Sequence, residues 1–288
     1  MVVELPQEII DKIIDEIAGD GSFLSYFLIS ALKACSVVSS AWHHRSRNHL
    51  FRRIWFSNRS FLEWCTNVRP GEDGPSRHVT FIGFRPRFTV DLIRTSPSHI
   101  SSFTNLQTLE LHQISLLGDE DAVYLGDLGR AVRELRLQQC SMTIDWFVQF
   151  LKQLTNLEDL HLSDIRTPSI PKLKSLDRSE LPHLKGALEI GMSHMGWKYF
   201  AEFISQLAVL PSALHTIVLF GYNGVPAEVN ELFATCKRTL ARLEFRDCES
   251  PTMHPALARL IQLSGYPYFR CLRRNQPGKL RCSQRVEV

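Results

Sequence analysis

Two hydrophobic periodicities divide this chain. Near its start, Ile9, Ile10, Ile13, Ile14 and Ile17 recur at helical spacing among Glu8, Asp11, Lys12, Asp15 and Glu16. Pro6 suits the first helical position, where its missing N–H costs nothing. The spacing predicts a second helix over 31–39, with Leu32, Cys35, Val37 and Val38 apolar, and a third over 41–51 carrying Trp42, Leu50 and Phe51. Ile54, Trp55 and Phe56 follow as a short extended piece. From residue 76 onward the period changes to two. The motif apolar–any–apolar appears at Val79-Thr80-Phe81, Leu109-Glu110-Leu111, Leu135-Arg136-Leu137, Leu160-His161-Leu162, Leu188-Glu189-Ile190, Ile217-Val218-Leu219 and Leu243-Glu244-Phe245.

The first anchors of these motifs lie 30, 26, 25, 28, 29 and 26 residues apart, a period that signals a solenoid. Leu106, Leu157, Leu214 and Leu240 stand three positions upstream of their motifs, and Cys140 and Cys248 three positions after the second apolar residue. This is a loose leucine-rich repeat pattern. Alternate strand residues point to opposite faces, so the paired apolar residues face a core and the residues between them face out. The outward set is Thr80, Glu110, Arg136, His161, Glu189, Val218 and Glu244, flanked by His112, Gln138, Ser163, Phe220 and Arg246. Glu110 and Arg136 are expected as a cross-strand pair. Segments 144–154, 197–207 and 226–240 are long enough to return the chain as helices. Pro168, Pro171 and Pro182 predict a loop-rich unit between them. The expected fold is α/β: a three-helix unit over 1–57, then about seven repeat units over 58–272. These would form a parallel strand ladder with helices on its convex side. A basic tail over 273–288 is expected to fray at Asn275, Pro277 and Gly278.

The N-terminal residues resemble the F-box family, whose pattern opens Leu-Pro-x-Glu-Ile/Leu and continues through Val-Cys-Arg-x-Trp to Leu and an aromatic residue. Leu5, Pro6, Glu8, Ile9, Ile13 and Ile17 fill the opening, Val38-Ser39-Ser40-Ala41-Trp42 the middle, and Leu50-Phe51 the end. Ser39 and Ser40 stand in place of Cys-Arg, and an insertion over 19–29 lengthens the first link. The resemblance covers residues 4–57. It implies that Leu5, Pro6, Ile9, Ile13, Val38 and Trp42 dock on an Skp-type adaptor, and through it on a cullin. The repeats would then hold a target protein, with Glu110, His112, Arg136, His161, Glu189, Phe220, Glu244 and Arg246 as its expected surface. The implied role is a non-catalytic substrate receptor of an SCF-type ubiquitin ligase, in the cytoplasm or nucleus. The alternative is a repeat scaffold or inhibitor whose first helices cap the solenoid.

Composition narrows this further. Net charge is +3 over 288 residues, which does not call for nucleic acid. Residues 1–20 hold six acids and one Lys, whereas 21–62 hold no acid but Lys33, Arg45, Arg47, Arg52, Arg53, Arg59 and three histidines. That basic stretch is expected as a solvated helix face or a patch for an acidic protein partner. Seven scattered cysteines without a C-x-x-C pair read as free thiols in a reducing compartment. The most apolar run, 23–29, is too short for a bilayer. No nucleotide, zinc-protease or hydrolase motif is present. Gly191-Met192-Ser193-His194-Met195-Gly196 places its last Gly one position late for a nucleophile elbow. His43, His44 and His49 lack a fourth ligand at metal spacing, so neither a metal nor a cofactor is expected.

Overall fold

The structure is a computed structural model. It describes residues 5–19, 26–71, 74–116, 119–166, 184, 186–191, 214–220, 239–246, 269–272 and 284–285. The expected helices at 197–207 and 226–240, the proline-rich unit, Ser193, Cys248 and most of the tail lie outside the described residues.

The first helix, α1 (Gln7–Ala18), begins one residue after Pro6, whose carbonyl accepts from the N–H groups of Ile9 and Ile10 at 3.0 and 3.2 Å. Gly19 ends it at φ +64°, the left-handed region that favours glycine. Helix α2 (Tyr26–Cys35) starts five residues before the expected position. The apolar run Phe27-Leu28-Ile29 belongs to it, and the chain turns at Ser36-Val37-Val38, where β-branched residues and serines favour an exit. Helix α3 (Ser40–Arg52) matches the expected third helix and runs straight into strand β1 (Arg53–Phe56). Ile10, Ile14, Ala18 and Leu32 close a small core, with Ile17, Ala41, Trp42 and Leu50 against it.

Helix α4 (Asn58–Asn67) opens with a reciprocal Ser57/Ser60 capping box. A 3₁₀ turn (Pro75–His78) leads to β2 (Phe81–Phe84). Short helices α5 (Asp91–Arg94) and α6 (Pro97–Ser101) precede β3 (Thr108–His112) and β4 (Ser115–Leu116). Helix α7 (Asp119–Gly129), β5 (Glu134–Gln138), β6 (Ser141–Met142), α8 (Ile144–Gln153) and β7 (Asp159–Ser163) follow. The described chain ends with β8 (Ala187–Gly191), β9 (Thr216–Phe220), β10 (Arg242–Arg246), β11 (Phe269–Leu272) and β12 (Gln284–Arg285). Helix α8 matches its predicted span; Thr143 caps it by accepting from the Trp146 N–H at 3.1 Å.

The sheet order is β1-β2-β3-β5-β7-β8-β9-β10-β11-β12. Every pairing is parallel except the last, where β12 lies antiparallel to β11. The register aligns Ile54, Ile82, Leu109, Leu135, Leu160, Leu188, Ile217, Leu243 and Phe269 in one row. The chain is thus a mixed α/β protein on a parallel strand sheet, solenoid-like in build. A smaller two-strand ladder, β4 with β6, runs beside it.

Two expectations are corrected. The first repeat is read three residues early: Ile82-Gly83-Phe84, not Val79-Thr80-Phe81, aligns with Leu109-Glu110-Leu111. Val79 is fully buried at the position held in the next units by Leu106, Val132 and Leu157, three residues upstream of the strand anchor. The sheet also begins before residue 58, because β1 is its first strand, and among the described residues it has nine parallel strands, two beyond the seven motifs. Gln284 and Arg285 pair with Cys271 and Arg270, while Asn275, Pro277 and Gly278 lie outside the described residues.

The main core is continuous. Leu109, Leu111, Leu135, Leu137, Leu160 and Leu162 meet Leu125 of α7 and Trp146, Phe147, Phe150 and Leu151 of α8. Cys140 occupies the repeat's Asn/Cys position, where its thiol donates to the carbonyls of Leu111 and Gln138 at 3.3 and 3.4 Å. Burial pushes this thiol up to about 11, so it serves structure rather than nucleophilic chemistry.

Candidate functional site

Two surfaces hold the residues singled out by the sequence. The first is the outer face of α1. Adjacent helix positions lie about 100° apart, so Ile9 and Ile13 form a different row from Ile10 and Ile14. Ile10 and Ile14 point into the small core, while Ile9 and Ile13 stay 41% and 37% exposed, in line with Leu5 at 48%. Pro6 is exposed beside them. Phe27, Val37 and Val38 stand out further, at 82%, 83% and 64%. Trp42, grouped with these by the resemblance, is half-buried against the small core and braces α1 from behind.

Asp15 fixes α1 on α3. Arg45 donates to it from both ends of its fork, with Nε 2.7 Å from Oδ1, and His49 Nε2 lies 2.8 Å from the same oxygen. The Arg45 hydrogen bonds hold the Asp15 carboxyl down to about 2, against the opposing effect of burial. His43 Nδ1 lies 2.8 Å from the Ser36 carbonyl, which ties α3 to the preceding turn.

The second surface is the strand face opposite the leucines. Register places Trp55, Gly83, Glu110, Arg136, His161, Glu189, Val218, Glu244 and Arg270 in one transverse row. Gly83 is required here: a Cβ would sit 2.6 Å from Trp55 Cζ3. Arg53 stacks its guanidinium 4.1 Å from the Phe81 ring centroid.

The expected pair of Glu110 and Arg136 exists at 3.9 Å, but Arg136 has a nearer partner in Glu134, at 2.7 Å. Glu134 also receives His161 Nε2 at 3.0 Å, and His161 Nδ1 reaches Glu189 at 2.9 Å. Both ring nitrogens thus face carboxylates, the arrangement of a doubly protonated imidazolium. Burial pulls His161 down, but the bonds to Glu134 and Glu189 outweigh it and hold the ring up at about 9. Burial likewise pushes Glu134 up, yet His161 and Arg136 hold it at about 2. Sequence reasoning missed Glu134, although strand alternation puts it on the same face as Arg136, two residues on.

Three residues expected to face solvent do not. Glu110 has an 8% exposed side chain and Glu244 a 1% exposed one. Burial raises the Glu110 carboxyl despite Arg136. Arg242, two residues before Glu244, pairs with it. Val218 is also buried. His112, Gln138, Ser163 and Glu189 are half-buried on this face, and the side chains of Phe220 and Arg246 lie outside the described residues. Among the described residues, no group of three His, Cys, Asp or Glu side chains is placed to hold a metal ion, and no helix is long and apolar enough to cross a membrane.

No family model and no curated protein matches the chain. Among solved structures, it is similar to a chain in the crystal structure of the Rad7 and Elc1 complex in yeast, at 13% identity over 90% of this chain and 85% of that one. The TM-score of 0.26 is too low to carry an argument about fold or function.

Proposed function

We propose that this chain is the substrate-receptor subunit of an SCF-type ubiquitin ligase, with residues 4–57 acting as an F-box and the following strands as leucine-rich repeats. In this reading Leu5, Pro6, Ile9, Ile13 and Val38 dock on an Skp-type adaptor that reaches a cullin. Trp42 supports the docking face from within. The strand face then holds a target protein while other subunits transfer ubiquitin. The chain supplies no chemistry of its own; it raises the effective concentration of target and enzyme. It would work in the cytoplasm or nucleus.

One observation carries the reading. The row of Leu5, Ile9 and Ile13 stays exposed although the neighbouring row of Ile10 and Ile14 already closes a core. Contiguous exposed apolar surface of this kind marks an interaction site. A mere cap would turn that row onto its own solenoid.

The test is co-purification of the full chain with an Skp-type adaptor. Wild type should retain the adaptor, and Pro6→Ala combined with Ile9→Asp should lose it while far-UV circular dichroism stays unchanged. A wild-type chain that ignores the adaptor would sink the proposal and leave the scaffold reading.

A further inference from the structure

The two sides of the strand ladder end differently. Beyond β11 the chain adds the short antiparallel β12. Beyond β1 no strand lies among the described residues. The Arg85 N–H donates to the Phe56 carbonyl at 2.8 Å, so Phe56, and Ile54 two residues before it, turn their backbone groups toward β2. Alternation turns those of Arg53 and Trp55 the other way, past the edge, where no turn or loop of the described residues bonds to them. The core side shows the same gap. Ile82, Leu109, Leu135 and Leu160 of one row are fully buried, whereas Ile54 of that row is half-buried. Sheet edges are commonly blunted by a charged side chain standing across them. Arg53 does not stand across this one: its guanidinium folds back over the Phe81 ring of β2, 4.1 Å from the centroid.

We propose that the β1 edge takes an extended segment of a protein partner as a further strand, one that alternates acidic and apolar residues. Backbone pairing supplies the affinity, and the alternation matches the two faces that the new strand would continue. On the core side an apolar residue covers Ile54. On the outer side an acid meets Arg53, with Arg52 adjoining it. Both arginines are exposed, and residues 21–62, which include β1, hold no acid. A second copy of the chain fits less well, because its own β1 brings the same two arginines to the edge. The inference rests on the ladder and not on adaptor docking.

The experiment is fluorescence anisotropy with the full chain alone and labelled peptides of alternating Glu and Val. The controls are a Lys-and-Val twin and two twins methylated on every second backbone nitrogen, one in each frame. One methylated twin should bind at least about tenfold more weakly than its parent, because the hydrogen bonds along one edge are lost. The Lys twin should bind at least about tenfold more weakly as well. Amide exchange followed by NMR locates the contact: at saturating peptide the Trp55 N–H should slow at least about tenfold, while the Ile54 N–H, already in the ladder, should not change. Arg52→Glu with Arg53→Glu should reverse the preference between the Glu and Lys peptides, a result that mere damage to the fold cannot give. None of these readouts needs the adaptor, so they stand or fail separately from adaptor docking. Binding of neither peptide, methylated twins that both match their parent, a Lys twin as tight as the Glu peptide, an unreversed preference in the double variant, or a Trp55 N–H that does not slow would each overturn the proposal. So would a wild-type chain that dimerises with that N–H protected before any peptide is added, since the edge would then belong to a second copy.

Discussion

The three-helix unit and the strand ladder are both rich in aliphatic residues but use them oppositely. In the ladder, each apolar pair turns inward and none of the row from Ile82 to Leu162 is left in water. In α1, Ile10 and Ile14 are buried, Ile17 is half-buried, and Ile9 and Ile13 are exposed. Stacked units bury one another's faces, so a solenoid can consume all its apolar residues. A unit of three short helices has too little interior to do so. Apolar content alone therefore says little about role; the difference lies in whether a second layer is available within the chain.

The sharpest way to break this comparison is to remove a ring from the ladder core. Phe56 is buried against Phe61, Trp64, Phe84 and Phe103, with centroids 5.3 to 6.3 Å away. Phe56→Ala should cost about 3–5 kcal/mol, read as a fall in the urea midpoint of the whole molecule. Ile14→Ala should cost about 2–4 kcal/mol, but confined to the small core. Hydrogen exchange should then accelerate in α1 and α3 and stay slow in β3, β5 and β7. Global loss of protection in both regions would show that the two cores are one cooperative unit.

Much of this division is legible in the sequence, and its failures have physical causes. The strand anchors from Leu109 to Leu243 are read in register because each has an apolar pair at period two. The first unit is misread because Val79 and Phe81 mimic that pair, while the real outward position is Gly83, which has no side chain to signal alternation. The contact of Trp55 with Gly83 spans two strands and cannot be seen from either alone. Strand parity does place Glu110 and Glu244 on the outer face. Their burial follows from neighbours such as Arg136 and Arg242, which parity does not weigh. On α1, helical spacing groups all five isoleucines, and only the packing of Leu32 and Trp42 decides which remain in water.

The charged row on the strand face offers a smaller effect. The folded value of His161, about 9, lies above its ordinary 6.5. Its contribution should be complete below pH 6.5 and disappear as pH rises through about 9, on the order of 2 kcal/mol. The measurement is chemical denaturation at pH 6, 7.5 and 9. Wild type should lose stability over this range relative to His161→Gln, and parallel profiles would remove the clamp between Glu134 and Glu189. On the acid side the sign reverses. Glu134 and Asp15, both held at about 2, contribute above their ordinary values near 4, and those contributions fade as pH falls toward 2. Asp15 is the more exposed of the two, so Asp15→Asn should change neutral-pH stability by about 1 kcal/mol or less.

The smallest expected stability change is the most informative. Ile9→Ala and Ile13→Ala remove as many carbons as Ile14→Ala, from the same helix, within about a turn and a half of it. Each leaves no cavity, because the side chain already borders water. Alanine is also the better helix former, by a few tenths of a kcal/mol, which offsets the lost contact. Each should therefore shift stability by less than about 0.5 kcal/mol, measured as urea midpoints of the isolated chain. A loss near that of Ile14→Ala would mean that the outer row is covered by the chain itself, and the argument for an external partner would fail. A negligible loss together with weakened adaptor retention would separate the two isoleucine rows by role, one holding the fold and the other left for a partner.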